Sequence, residues 1–337
     1  MVPCGKRPLT EPRRRAILAW LVAAAVVWWR VHAGGTFFIV GLEGAWSDRL
    51  GAMLPALCAG LSAALALSVV DAAAGPLAGI VAAIAVVALP GFVPLHRVSL
   101  VGPPLLTLTL ATLGVMLQAP RFSLAYGTLA AFAAVSVAPA GIGLPVAAVA
   151  WALLSGAKTS RYPLRRGALA ALPLAVLVAI SRWTGDGWSD FGALAWHGGL
   201  DDAFRAAGTI VGDQLAPGIH FPPLRWFAVA DISLLLFAVV TMAWLRVARI
   251  RPPGTFLRRL YPAAGIVTLA YAAGMIGSTL LLAGAGEPEL PTVFPVVVVG
   301  LLVVVTSVGV LWSRWHRVGK IVAVLLMLGW VQAAIRG

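Results

Sequence analysis

Two carboxylates, Glu43 and Asp48, lie in a polar stretch between the first two apolar runs of the chain. A carboxylate placed beside a hydroxyl group can act as a general base, and it can also bind a divalent cation. The alternative interpretation is that both acids simply solvate a loop, with Asp48 paired to Arg49 or to another nearby cation. One of two hypotheses is therefore that Glu43 and Asp48 are catalytic residues, with a divalent cation as a candidate cofactor.

Several basic residues lie at the ends of apolar runs, on the same side of the predicted membrane as these acids. Basic residues are normally scarce on this outer side. They could bind an anionic lipid phosphate, or they could extend toward lipid headgroups and pair with loop acids. His220, which lies beside Pro222 and Pro223, is either a ligand contact or a loop-packing residue. The candidate residues for binding a lipid phosphate are Arg49, His96, Arg97, His220 and Arg225.

Three other groups of polar residues carry weaker signals. Glu287 and Glu289 could bind a divalent metal, although two carboxylates in a solvated loop rarely do so. Asp231 falls in an apolar run, where an acidic residue is a functional candidate by default. His197 has helical spacing to Asp201 and Asp202 but lacks further ligands. No metal site is predicted from these groups.

The composition indicates that these residues are positioned by membrane helices. Hydrophobic residues make up 61% of the 337 residues and charged residues 11%, and the mean hydropathy is +0.95. Soluble domains have about a quarter charged residues. The two cysteines, Cys4 and Cys58, lie in different environments and predict no disulfide. We predict an all-α, polytopic transmembrane helix bundle that forms a single domain over 1–337.

The apolar runs predict about eleven spans of the length that a bilayer requires. The apolar pattern is interrupted near 139–145, so the fifth and sixth predicted spans could instead form a shorter re-entrant pair. The predicted spans are 16–31, 51–70, 77–94, 98–118, 122–138, 140–156, 167–181, 226–245, 260–284, 293–312 and 320–335.

The charge distribution predicts the direction of the spans. The net charge of +13 comes from short basic clusters between apolar runs rather than from one basic surface, so nucleic acid is not the expected partner. With a cytoplasmic N-terminus, most of the 25 Lys and Arg residues fall inside and most of the 12 acids fall outside. The predicted external loops are about 31–50, 182–225 and 286–292. We expect a multi-pass protein of a bacterial inner, or plasma, membrane, with membrane lipids as partners.

Several stretches match a known pattern. Trp46, Arg49 and Leu50 open the second run, Pro90 and Pro94 precede the His96-Arg97 pair, and "APGIHFPPLRWF" and "ELPTVFPVVVVGLLVV" follow later. This pattern, from 43 to about 312, resembles the GT-C class of integral-membrane glycosyltransferases. It is similar to the branch that takes a sugar from a polyprenyl phosphate, as aminoarabinose transferases and protein O-mannosyltransferases do. The chain looks like a reduced member, because 31–50 is shorter than the family's first external loop.

The resemblance implies a polyprenyl-phosphate-linked sugar as donor and transfer of that sugar at the outer face of the membrane. Two alternatives stay open. The chain could be a catalytically silent relative that binds polyprenyl lipid or supports a membrane partner subunit. It could also be an unrelated lipid or solute transporter, for which Asp231 and the broken helices between Pro139 and Pro145 are the indicators.

Overall fold

The computed structural model describes most of the chain, and every element in the described part is helical. The described residues are 15–25, 45–89, 91–98, 101–119, 121–137, 139–159, 162–184, 200–215, 255–281 and 289–314, with single positions at 317, 320, 321 and 324. This confirms the all-α prediction for these residues.

The described ranges contain eleven α-helices, α1 to α11 in chain order. They are α1 (Arg15–Ala25), α2 (Ala45–Ala74), α3 (Pro76–Ala88), α4 (Phe92–Val98), α5 (Gly102–Gln118), α6 (Ser123–Phe132), α7 (Gly143–Thr159), α8 (Pro163–Thr184), α9 (Leu200–Leu215), α10 (Thr255–Leu281) and α11 (Leu290–Arg314). A π-helical turn (Ala133–Val137) and a 3-10 turn (Pro139–Ile142) connect α6 to α7.

Four of these helices are long and apolar enough to cross a membrane. They contain Met53–Ala74, Pro163–Ile180, Arg258–Leu280 and Leu290–Trp312, and five other helices are apolar but shorter. The described part of the chain is therefore that of a helical membrane protein. The predicted span at 226–245, nearly all of the span at 320–335 and the last six residues of the span at 16–31 lie outside the described residues.

One predicted span is divided in two. The run 77–94 forms α3 and then α4, because the helix ends at Leu89, whose backbone is extended at φ −60° and ψ 134°. Leu89 precedes Pro90, and the ring of a proline disfavours helical geometry in the residue before it. The predicted single helix is therefore wrong, and the break produces a corner at this end of the bundle.

The core lies where α2, α3, α5, α10 and α11 meet. It is built from Ala, Val and Leu side chains with a few large residues, among them Phe92, Tyr271 and Phe294, which are fully buried. Outside this core, α6, α7 and α8 form a second layer that packs on α5 and α10. By contrast, only 11% of the apolar window of α8 is buried, as is typical of a helix that faces lipid.

Candidate functional site

The corner formed by α4 carries the polar residues that the sequence analysis places at the outer face. α4 packs against α2, α3 and α5, and its Phe92, Leu95 and His96 are almost fully buried. Phe92 lies between the His96 ring, at a centroid distance of 4.3 Å, and the Phe294 ring of α11, at 6.5 Å. This aromatic packing fixes the orientation of the histidine.

His96 is a neutral hydrogen-bond acceptor in this environment. Its Nδ1 lies 2.7 Å from the carbonyl oxygen of Phe92, so Nδ1 donates its hydrogen and Nε2 keeps a lone pair. Burial lowers the pKa of His96 to about 4, because the effect of burial is larger than that of the hydrogen bond to Phe92, which raises the pKa. Nε2 has no hydrogen-bond partner among the described residues. A neutral acceptor fits a hydroxyl ligand, and the contact of His96 to a lipid phosphate stays a prediction.

The other predicted residues are distributed around this corner or lie beyond the described part. The backbone of Asp48 and Arg49 belongs to the first turns of α2, and Arg97 follows His96 on α4. Glu43, His220 and Arg225 lie outside the described residues, as does Asp231.

The position of Asp48 and Arg49 along the axis of the bundle follows from the way in which α2 packs on α5. Thr107 of α5 donates a hydrogen bond to the Cys58 carbonyl at 3.2 Å and also pairs with Ser62, and Val69 lies beside Gly114. The two helices are therefore parallel. At 1.5 Å per residue, Asp48 lies roughly 15 Å beyond the layer of Cys58, whereas α5 begins only about 8 Å beyond it. The first turns of α2 thus extend past the start of α5, on the side where α4 packs.

α9 is held against this end of the bundle by Gln214, a residue that the sequence analysis did not identify. The buried Gly91 N–H donates a hydrogen bond of 2.6 Å to Gln214 Oε1. A Cβ atom on residue 91 would lie 2.5 Å from Gln214 Oε1 and 2.9 Å from Gln214 Cδ, so a larger residue would displace the Gln214 amide from this hydrogen bond. The available signal was the helical spacing of Ala203, Ala207 and Gln214, which form the buried side of α9.

The start of α11 completes the same end. Tyr271 of α10 donates a hydrogen bond to the Thr292 carbonyl at 2.8 Å, and the Thr292 hydroxyl closes the first turn on Glu289. Glu289 is exposed, and Glu287 lies outside the described residues. Within the described part of the chain, no group of three or more His, Cys, Asp or Glu side chains could hold a metal ion.

No protein-family model, curated protein or solved structure matches this chain. The resemblance to the GT-C class accordingly rests on the short sequence motifs alone. What the structure adds is the corner itself, in which α4, with its neutral histidine acceptor, packs on α2.

Proposed function

We propose that this protein is a membrane glycosyltransferase-like protein that transfers a sugar from a polyprenyl phosphate to an acceptor hydroxyl at this end of the bundle. The observation that carries the proposal is the packing of α4, with its buried His96, against α2, whose first turns bear Asp48 and Arg49. An acid, cations and a neutral hydrogen-bond acceptor are thereby gathered on neighbouring helices.

The proposed chemistry divides into two tasks. Glu43 or Asp48 acts as the general base that takes the proton from the acceptor hydroxyl, and a divalent cation could assist it. Arg49, Arg97 and Arg225 stabilise the charge that develops on the departing lipid phosphate. In each case the residue is assigned by its place on the chain and by the resemblance.

His96 receives a different role in this proposal. Because its Nε2 is an unpartnered acceptor, it suits a hydroxyl group of the sugar or of the acceptor rather than the phosphate. His220 keeps its proposed role as a contact to the lipid phosphate. The two histidines would therefore contact different groups, His220 the departing lipid phosphate and His96 a hydroxyl of the sugar or of the acceptor.

We also propose that this end faces the outside of a bacterial plasma membrane, that the chain crosses about eleven times, and that its N-terminus is cytoplasmic. Support comes from the opposite end of the bundle, where Arg15 of α1 pairs with Asp71 at 3.9 Å. The exposed Arg121, Arg165 and Arg258 lie at helix ends on that opposite side. This distribution agrees with the preference of basic residues for the cytoplasmic face.

The test is a transfer assay with membranes that contain the protein and labelled polyprenyl-phosphate sugars. Loss of a general base should lower transfer by roughly 100-fold or more in Glu43→Gln or in Asp48→Asn. Asp202→Asn is the matched control, because Asp202 is an exposed acid on α9 that is paired only with Arg205 among the described residues, at 3.6 Å. Wild-type transfer in both Glu43→Gln and Asp48→Asn would refute the assignment of the base.

A second candidate function is that of a silent relative, which binds polyprenyl phosphate without transferring the sugar. One observation favours it: the acids with described side chains at this end, namely Asp201, Asp202 and Glu289, are all exposed. Carboxylates that act as general bases usually sit in a cleft that perturbs them, and these exposed acids lack such surroundings. Saturable binding of the labelled lipid without any turnover would favour this function over transfer.

A further inference from the structure

A second polar cluster lies at the opposite end of the bundle, where α6 and α8 begin. α7 is antiparallel to both helices, so α6 and α8 run in the same direction, and Gly127 of α6 packs directly against the backbone of Ala170 of α8. Counting back four residues along each helix brings Ser123 level with Arg166. The first turns of two helices therefore lie side by side and face the same surface.

Two hydroxyl groups in this cluster are buried without a partner. Ser123 and Tyr126 are 1% and 0% exposed, and neither Ser123 Oγ nor Tyr126 OH has a hydrogen-bond partner among the described residues. A buried hydroxyl without a partner is costly, so two in one helical turn call for a ligand. Helical side chains lean toward the N-terminus of their helix, which directs both hydroxyls toward the start of α6.

The surroundings of these hydroxyls are positively charged. α6 begins after Phe122 without a side-chain cap, so its first N–H groups and the positive end of its dipole face this end of the bundle. The charge of Arg166 acts on the Tyr126 hydroxyl, and the exposed Arg121 and Arg165 flank the pair. These features together attract an anion.

The acid with a described side chain at this end of the bundle lies away from α6 and α8. Asp71 is the acid with a described side chain at this end, and it is paired with Arg15 on α1. α2, which carries Asp71, packs on α3 and α5 rather than on α6 and α8. Within the described residues, Asp71 therefore does not neutralise the charge at the start of α6 and α8.

We propose that this cluster, which we call the α6–α8 anion site, binds a phosphate group. Ser123 Oγ and Tyr126 OH donate hydrogen bonds to phosphate oxygens, and Arg166 supplies the compensating charge. The phosphate belongs either to the headgroup of an anionic lipid or to free inorganic phosphate, since both present the same oxygens. The site is separate from the proposed transfer site and lies at the other end of the bundle.

The experiment measures the thermal unfolding of the purified full chain in a non-ionic detergent. Two probes are titrated separately, namely dioleoyl phosphatidylglycerol and inorganic phosphate, and dioleoylglycerol serves as the phosphate-free lipid control. We expect saturable stabilisation by at least one phosphate probe and none by dioleoylglycerol. Stabilisation by the lipid alone identifies a headgroup site, whereas stabilisation by inorganic phosphate without lipid identifies a site for the free anion.

Variants locate the site. Tyr126→Phe and Ser123→Ala should each raise the half-saturating concentration of the phosphate probe roughly tenfold, because each variant loses a hydrogen bond to a charged group. Without a probe, both should unfold at no lower temperature than the wild type, since neither hydroxyl has a hydrogen bond in the described structure. Arg166→Gln should weaken binding at least as strongly.

The matched controls are Thr128→Val, which removes an exposed hydroxyl of α6 bonded to Leu124, and Arg258→Gln, which removes an exposed charge of α10 at the same end. Both should bind like the wild type. The proposal is overturned if neither phosphate probe stabilises the protein, or if Arg258→Gln weakens binding as much as Tyr126→Phe does. The second result would show a diffuse basic surface instead of a built site.

Discussion

The docking of α9 on the bundle should depend on a single side-chain amide. Gln214→Leu keeps the approximate size of the side chain but removes the oxygen that accepts the Gly91 N–H at 2.6 Å. The Gly91 amide is buried, so the variant leaves a donor without a partner. A buried donor that loses its partner costs about 1–3 kcal/mol. The undocking equilibrium of α9 should therefore rise roughly 5- to 150-fold.

Cysteine labelling measures this equilibrium directly. Ala207 is 8% exposed on the docked side of α9, so a thiol in Ala207→Cys reacts with a maleimide only when α9 undocks. Cys4→Ser removes one native thiol from the background, and the other, Cys58, is buried. The labelling rate of Ala207→Cys should rise by the same factor when Gln214→Leu is added.

The control for this measurement is Thr209→Val. Thr209 lies on the exposed side of α9, and its hydroxyl donates a hydrogen bond within the helix, to the Arg205 carbonyl at 2.8 Å. It should leave the labelling rate within about twofold of the parent, since exposed substitutions rarely change stability by more than about 0.5 kcal/mol. Equal labelling rates in Gln214→Leu and Thr209→Val would refute the role assigned to Gln214.

Three further outcomes are expected. The pKa of His96 is lowered to about 4 in the folded protein and is 6.5 in the unfolded chain, so the unfolded state binds more protons between these two pH values. The free energy of unfolding should therefore fall by roughly 3 kcal/mol as the pH drops from 6.5 to 4. In thermal unfolding, His96→Gln should flatten this pH dependence. Gly127→Ala should destabilise the protein by about 1–3 kcal/mol because a Cβ atom would meet the backbone of α8, whereas Gly208→Ala, which meets nothing within 4 Å, should be neutral or stabilising. Tyr271→Phe should cost about 1 kcal/mol in unfolding experiments through loss of its hydrogen bond to the Thr292 carbonyl, and an unchanged midpoint would contradict that role.

The sequence predicts the helices well because apolar length is a local property. α5, α10 and α11 lie close to the predicted spans, and even the break before Pro90 follows from a local rule. The prediction failed there because the apolar pattern of 77–94 outweighed the proline. The helix break was thus readable from the sequence but was not predicted, and the orientation drawn from the charges stays a prediction.

The contacts that build the two sites were less accessible. Gln214 and Gly91 are separated by 123 positions, and their pairing depends on where α9 docks. The neutrality of His96 depends on its burial against Phe92, which the pattern of charges does not reveal. Ser123 and Tyr126 resemble ordinary residues at the start of a helix until the packing of α8 buries them. Long-range packing, rather than composition, decides each case.

The unequal lengths of α2 and α3 have a consequence for the surrounding bilayer. The 30 residues of α2 span roughly 45 Å, whereas the 13 residues of its neighbour α3 span about 20 Å. We predict that α3 also crosses the membrane, and because a typical hydrocarbon core is about 30 Å thick, lipid beside α3 should then thin to match its short apolar surface. The protein should be most stable among lipids with short acyl chains, and bilayer thickness becomes a variable that sets how firmly the α4 corner is held.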